Sequence, residues 1–361
     1  MELKTKIRVK VIRIILTLTA ILLLKGLMGW SSRFGYFYFS GWYKWTSAVF
    51  RQLTGIVPFS VGDVIYTVWI ITGIFYLLKL CYKLIRAEWG RAGYQLLKGI
   101  HALLNLYLAF LILWGLNYER QPLTPDTKLV SGPYNTDQLY RLSDTLVQLV
   151  NRDKLLLGDT LEVTGADTSS IPVFKRAIMA YDAASGRWPA FRYEHPSVKK
   201  ALFGEWLNYT GTTGYLNPWT NEAQVNTTSP DVMLPFITCH EIAHQLGYAS
   251  EEDANFVGYL AATSTTDSRF RYSANLEMLL YSVRQLSWRD TTLAHEVWHK
   301  AVPGVRKDYK AIVQFYRRYE GKLDDYSSMF YDQYLKANKQ LKGIHSYSEV
   351  TAWLITYFDI K

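Results

Sequence analysis

Three long apolar runs crowd the first third of the chain, and amphipathic helical spacing takes over after them. The first run covers Ile14 to Leu24 and continues through Lys25 to Trp30. The second covers Val64 to Tyr82 with Lys79 as its one charge, and the third, Ile100 to Tyr118, carries none. Each approaches the ~20 residues that a bilayer span requires, with Lys25 snorkelling to the interface. Gly26 to Trp30 offers no small-x-small cleavage site, so the first run is expected to remain as an anchor rather than leave as a signal peptide. His101 and Asn105, four apart in the third run, are expected to pack spans together rather than bind a metal.

Beyond Tyr118, apolar residues recur at helical intervals over Asp137–Asn151, Ile171–Ala184, Ala274–Leu286, Asp308–Tyr319, Tyr331–Asn338 and Tyr347–Tyr357. Trp206 to Asn226 instead carries the Gly, Pro, Asn and Thr punctuation of strands and turns. No internal repeat or low-complexity linker interrupts the chain. Two domains are expected: a three-span transmembrane anchor over 1–120 and an extracytoplasmic domain over 121–361.

The 361 residues carry a formal net charge of +9, and its placement argues for a membrane rather than a nucleic-acid partner. Lys4, Lys6, Arg8, Lys10 and Arg13 precede the first run; Lys83, Arg86, Arg91 and Lys98 follow the second. The longer first loop has only Arg33, Lys44 and Arg51. By the positive-inside rule the N-terminus and second loop lie in the cytoplasm, which puts everything after the third span outside the cytoplasmic membrane. The first loop, Trp30 to Phe59, is dense in aromatic residues, as for a segment resting among headgroups. The two cysteines, Cys81 in a span and Cys239 elsewhere, are expected to be free thiols, with Cys239 a small core residue.

Candidate chemistry concentrates at His240-Glu241-Ile242-Ala243-His244. Imidazoles four apart share a helix face and suit one zinc ion, while Glu241 between them projects toward a coordinated water. Zinc lowers the pKa of that water toward roughly 7, and Glu241 would take its proton and pass it to a leaving amine. The apolar lead Leu234 to Cys239 would bury the helix start, and Gly247 is a natural helix stop. A third ligand is sought in the acidic run Glu251-Glu252-Asp253, although Ser250 and Asp253 also match a helix capping box. His295-Glu296-Val297-Trp298-His299 repeats the pattern, but polar flanks and the following Pro303-Gly304 make it a solvated helix face.

Two resemblances add to this reading. His240-x3-His244-x2-Gly247 is similar to the metzincin turn, yet Ser250 stands where that class has its third ligand. Asp253-Ala254-Asn255 with Phe256 and Gly258 resembles the Glu-Ala-Asp or Glu-Ala-Asn helix of gluzincin peptidases, in which the acid before Ala ligates zinc. That carries the role to Asp253, with the shorter Asp leaving Glu251 or Glu252 as substitutes. More broadly, Trp114-Gly115-Leu116-Asn117-Tyr118, Gly214 to Thr220, Glu222 to Asn226 and HEIAHQLGYASEEDANFVGYLA from His240 are similar to a bacterial membrane-protein family designated domain of unknown function 3810 (DUF3810). Pro303 to Arg306 with Asp308, and Tyr331 to Asn338, extend the similarity. It implies a membrane-anchored, zincin-like domain.

The expected protein is therefore mainly α: three N-terminal transmembrane helices followed by a zincin-like α+β domain. Its expected function is an integral-membrane zinc metallopeptidase, with one Zn2+ per chain on His240, His244 and Asp253 and with Glu241 as general base. Its partners would be a peptide or protein substrate and the lipid bilayer. A catalytically inactive zinc-binding envelope scaffold and a small transport component are the alternatives. Glu222 to Asn226 is the candidate for a substrate-pairing edge strand. Tyr331, Tyr334, His345 and Tyr347 are candidates for stabilising the oxyanion. Arg306 and Asp308 are expected to form a structural ion pair.

Overall fold

The computed structural model describes residues 2–120, 123–158, 170–321 and 348–361, together with the isolated positions 329 and 333. It is mainly helical. In chain order, α1 spans Glu2–Trp30 and α2 Ser32–Tyr36; a π-helix over Phe37–Tyr43 leads into α3, Lys44–Gly55. Then come α4 (Val61–Ile85), α5 (Trp89–Leu113), a 3-10 turn (Gly115–Glu119), α6 (Thr124–Thr127), α7 (Thr136–Leu157) and α8 (Ser170–Ser185). Strand β1 (Val198–Lys200), α9 (Gly204–Asn208), β2 (Gly214–Asn217) and β3 (Glu222–Val225) precede α10 (Leu234–Gln245) and α11 (Glu251–Thr263). The last described elements are α12 (Ser268–Arg289), α13 (Thr291–His299), α14 (Pro303–Arg317) and α15 (Ser348–Tyr357). The expected helix at Tyr331–Asn338 lies, apart from position 333, outside the described residues.

Helices α1, α4 and α5 are long and apolar enough to cross a membrane. Each reaches beyond its apolar run at the N-terminal side, because flanking polar residues lie in the same helix. The third run stops being α-helical at Leu113, where Gly115–Glu119 tightens to 3-10 geometry. Their side chains stand largely uncovered: Leu22 is 70%, Phe75 66% and Leu103 68% exposed. Apolar surface of that extent is compatible with a lipid surround. Where α1 meets α5, Thr17 donates to Asn105 Oδ1 at 3.2 Å and His101 Nδ1 lies 3.3 Å from Lys10 Nζ. His101 and Asn105 thus join two apolar helices, as expected of them.

The stretch between α1 and α4 departs from a simple headgroup-level loop. Trp30, Phe37 and Trp45 are exposed, but Tyr38, Tyr43 and Arg51 are buried. Tyr38 and Trp42 donate to the carbonyls of Leu111 and Ile112, supplying partners that the end of α5 cannot find within its own helix. Glu222 of β3 does the reverse for α4. Its carboxylate accepts from Val61 N at 3.1 Å and Gly62 N at 2.6 Å, and a negative charge there also complements the helix dipole.

The sheet has the order β1-β3-β2, with β1 parallel and β2 antiparallel to β3. Glu222–Val225 is therefore the central strand and cannot be the substrate-pairing edge expected of it; β2 is the edge beside α10. The main core lies on the other side of α10, where Ile242 and Ala243 join Leu139, Leu146, Tyr181, Phe256, Leu260, Phe270 and Leu279. α7, started by a capping box of Asn135 and Gln138, buries the stripe of Leu139, Leu142, Leu146 and Val150, and α12 lies along it. Asp308 is buried, but its ion partner is Lys154 at 2.8 Å, with Tyr272 also donating to it. Arg306 is exposed, so the expected Arg306–Asp308 pair is replaced by one that spans α7 and α14.

Candidate metal centre

Helix α10 is buried on nearly every side, which an apolar sequence with His and Glu inserted permits only where those polar groups meet each other. It ends in a Schellman turn. Gly247 N donates to His244 O, Tyr248 N donates to Ala243 O, and Gly247 takes φ of +88°. That turn folds the Tyr248 carbonyl back to 2.7 Å from His244 Nδ1. With Nδ1 directed to a carbonyl, Nε2 is the nitrogen that could hold a metal ion.

Partners from the first third of the chain take up the rest of the α10 terminus. Tyr43 Oη donates to the His244 and Gln245 carbonyls at 3.3 and 3.0 Å, Trp114 Nε1 to His244 O at 3.4 Å. Arg51 Nη1 donates to Gln245 O at 3.2 Å and Arg120 Nη1 to Leu246 O at 3.0 Å. Two cations at a helix C-terminus also complement its dipole. None of these contacts was visible in the spacing of HExxH.

The third group of the cluster is Glu251. Its Oε2 lies 3.3 Å from His240 Nε2 and its Oε1 3.7 Å from His244 Nε2, and the three ligand atoms lie within 4.8 Å of one another. Tetrahedral zinc with bonds near 2.0–2.1 Å separates its ligand atoms by about 3.3 Å, so this donor set fits the ion. A second observation agrees: Glu241 Oε2 is buried without a hydrogen-bond partner among the described residues.

Asp253, expected as the third ligand, is not part of the cluster. Two residues along α11 rotate a side chain by roughly 200°, which takes Asp253 to the far side from Glu251. There it meets Ser250, whose Oγ accepts from Asp253 N, and it lies near Arg120. Positions 251, 255 and 258 instead form one stripe. Glu251 and Asn255 line the site, and Gly258 lets the two helices close, since a Cβ there would sit 3.0 Å from His240 N.

Burial opposes protonation of His240, but Glu251, Glu241 and Asn255 outweigh it and raise its pKa to about 9. Burial and the neighbouring His240 lower His244 to about 4, and burial raises Glu241 to about 8. Such concentrated, mutually shifted groups are typical of functional sites. They open into a cleft of about 790 Å³. Glu277 and Tyr281 of α12, one helical turn apart, line its wall, and Glu277 is pushed up to about 7 by burial. Sequence reading missed both. The findable signal was a lone acid in the apolar run Leu276-Glu277-Met278-Leu279-Leu280. The oxyanion candidates Tyr331, Tyr334, His345 and Tyr347 lie outside the described residues.

The second HExxH stays on the surface. His295, Glu296 and His299 are exposed, their rings 6.1 Å apart, and Glu296 accepts from Tyr140 and Lys300. Cys81 and Cys239 are free thiols, Cys239 buried.

A family model described as "Protein of unknown function (DUF3810)" matches residues 38–355, from the π-helix through α15. No curated protein and no solved structure matches the chain.

Proposed function

We propose that this chain, which belongs to the DUF3810 family, is an integral-membrane zinc metallopeptidase of gluzincin type, with one Zn2+ held by His240, His244 and Glu251. The observation that carries the reading is the convergence of two imidazoles and one carboxylate beside the buried Glu241. Zinc bound there would supply Lewis-acid polarisation and a water of pKa near roughly 7.

The chain's own groups have separable tasks. Glu241 accepts the proton of the attacking water and returns it to the leaving nitrogen. The Tyr248 carbonyl fixes the His244 ring, and the α10 caps hold the whole helix end. Glu277 and Tyr281 add a carboxyl and a hydroxyl for binding substrate. Trp114, edge-on to His244 with ring centres 6.2 Å apart, keeps that side of the cleft apolar. We read the domain as zincin-like, since an active helix, a following acid-bearing helix and an edge strand recur here. We place its N-terminus in the cytoplasm and residues 121–361 outside, on the distribution of cations.

Zinc quantification alongside peptide-library cleavage tests the proposal in wild type, Glu241→Gln and Glu251→Gln. Wild type is expected to hold one zinc and to cleave. Glu241→Gln should keep zinc and lose cleavage. Zinc retained by wild type and by Glu241→Gln with no cleavage by either would favour an inert scaffold; absence of zinc binding by the wild type would refute the metal centre.

A further inference from the structure

The catalytic cleft is walled in part by membrane-helix ends. Besides Glu241 and His244, its lining includes Tyr66 of α4 and Phe110 of α5, with Trp114 and Tyr118 just beyond α5. Helix α4 begins at Val61 and α5 ends at Leu113, so these groups come from the same end of an antiparallel helix pair. Tyr215 of β2 stacks on Tyr66, and Trp219 meets Trp69 edge-on at 5.0 Å. The cleft therefore opens at the level where two candidate spans emerge.

A second feature of the domain sits at that level. Leu202, Phe203 and Trp206 are exposed, Trp206 by 70%, and Leu202 N donates to Asp63 Oδ2 in the first turn of α4 at 2.7 Å. An apolar knob fixed beside a span end has the composition of a segment that dips into the interface. Thr210 to Tyr215, which follow it directly, form one rim of the cleft.

That rim ends in a strand edge that pairs with no further strand among the described residues. Asn226 N donates to Thr213 O at 2.9 Å, which sets the alternation of the β2–β3 ladder. Gly214 and Leu216 accordingly turn their N–H and C=O groups away from β3, toward the open side. A Cβ on Gly214 would lie 2.5 Å from Glu241 Oε1, so this edge runs directly past the catalytic carboxylate. A strand added there lies about 4.8 Å away and reads main-chain groups rather than side chains.

Resting on the peptidase reading above, we infer that the substrate is the membrane-adjacent stretch of a membrane-anchored polypeptide, which enters from the bilayer and pairs in extended form with β2. The C–N bond of that stretch breaks. Water supplies a hydroxyl to the acyl carbon and a proton, through Glu241, to the leaving nitrogen; no redox partner is needed. A free peptide and a tethered peptide held away from the bilayer surface are the competing occupants.

The test uses the full-length protein in phosphatidylcholine/phosphatidylglycerol vesicles. A degenerate peptide segment is offered in three forms: abutting a synthetic apolar span, held off the same span by a flexible linker of about 30 residues, and free in solution. Both tethered forms share the bilayer's concentrating effect, so only their difference reports the level of the cleft. The abutting form is expected to be cut at least about tenfold faster than the other two, and Leu216→Pro, which removes one outward N–H, to slow it with zinc content unchanged. Equal cutting of the linker-held or free form overturns the inference and leaves the peptidase reading intact. If wild type binds zinc and cuts nothing, the peptidase reading fails instead. Photo-crosslinking from benzoylphenylalanine at Thr213 in Glu241→Gln then decides: capture of the abutting form alone sustains the docking inference, and capture of none or of all forms overturns it.

Discussion

Exchange of the two acids at 251 and 253 separates the geometry from the sequence resemblance. Glu251 has one oxygen at 3.3 Å from His240 Nε2 and the other at 3.7 Å from His244 Nε2, whereas Asp253 turns to Ser250 and Arg120. Loss of a group that only supports a ligand costs about 10–100-fold in metal affinity. Removing the proposed anionic ligand itself, as in Glu251→Gln, is therefore expected to cost at least about a hundredfold, equivalent to roughly 2.8 kcal/mol. Asp253→Asn acts on the opposite helix face and should leave zinc affinity within about twofold, the spread of ±0.5 kcal/mol for changes away from a site. Competition with a chelator of known zinc affinity measures both, with circular dichroism confirming the fold. Zinc lost in Asp253→Asn and kept in Glu251→Gln would refute the assignment and return the ligand role to Asp253.

Other expectations follow from the same contacts. Gly247→Ala forces a Cβ to 2.8 Å from Tyr43 Cε1 at φ +88°; strain of about 1–2 kcal/mol and overpacking of about 1–3 should together lower stability by roughly 2–5 kcal/mol, read by thermal unfolding in detergent. Tyr43→Phe removes one of two donors from each of two α10 carbonyls, which keep Trp114 and Arg51, and at about 0.5–1.5 kcal/mol per lost bond should cost about 1–3 kcal/mol in the same assay; an unchanged midpoint would mean the Tyr43 cap contributes nothing. The double change His295→Ala/His299→Ala should keep one zinc per chain and shift stability by no more than about 0.5 kcal/mol, since both rings face solvent. Burial raises the Tyr193 hydroxyl to about 12, against 10.0 for an ordinary tyrosine. The folded state thus retains a proton that the unfolded chain releases, so this contribution is complete below pH 10 and disappears as pH rises toward 12. Denaturant titrations across that range should fall less steeply for Tyr193→Phe.

The three long apolar helices and the HExxH helix were legible because each has a strong local signature. Apolar runs near span length, a HExxH motif and a glycine stop depend on neighbours within a few turns. The edge strand was misassigned for the opposite reason. Glu222–Val225 and Gly214–Asn217 both read as short strands, and only pairing with the distant Val198–Lys200 makes the former central. Asp253 was drawn from a resemblance at the level of residue type, whereas helical phase decides which acid faces the histidines.

The sequence by itself determined where the chain is apolar enough to enter a membrane and where two imidazoles share one helical face. Local periodicity suffices for both, since side-chain direction repeats every few residues along one element. Only the tertiary structure decided that Glu251 meets those imidazoles, that Glu277 and Tyr281 line the same cleft, and that Tyr43, Arg51 and Trp114 hold the α10 terminus. Those choices join residues as far apart as Tyr43 and Gln245, and they follow from how helices and strands stack and satisfy buried polar groups, which no window of sequence contains.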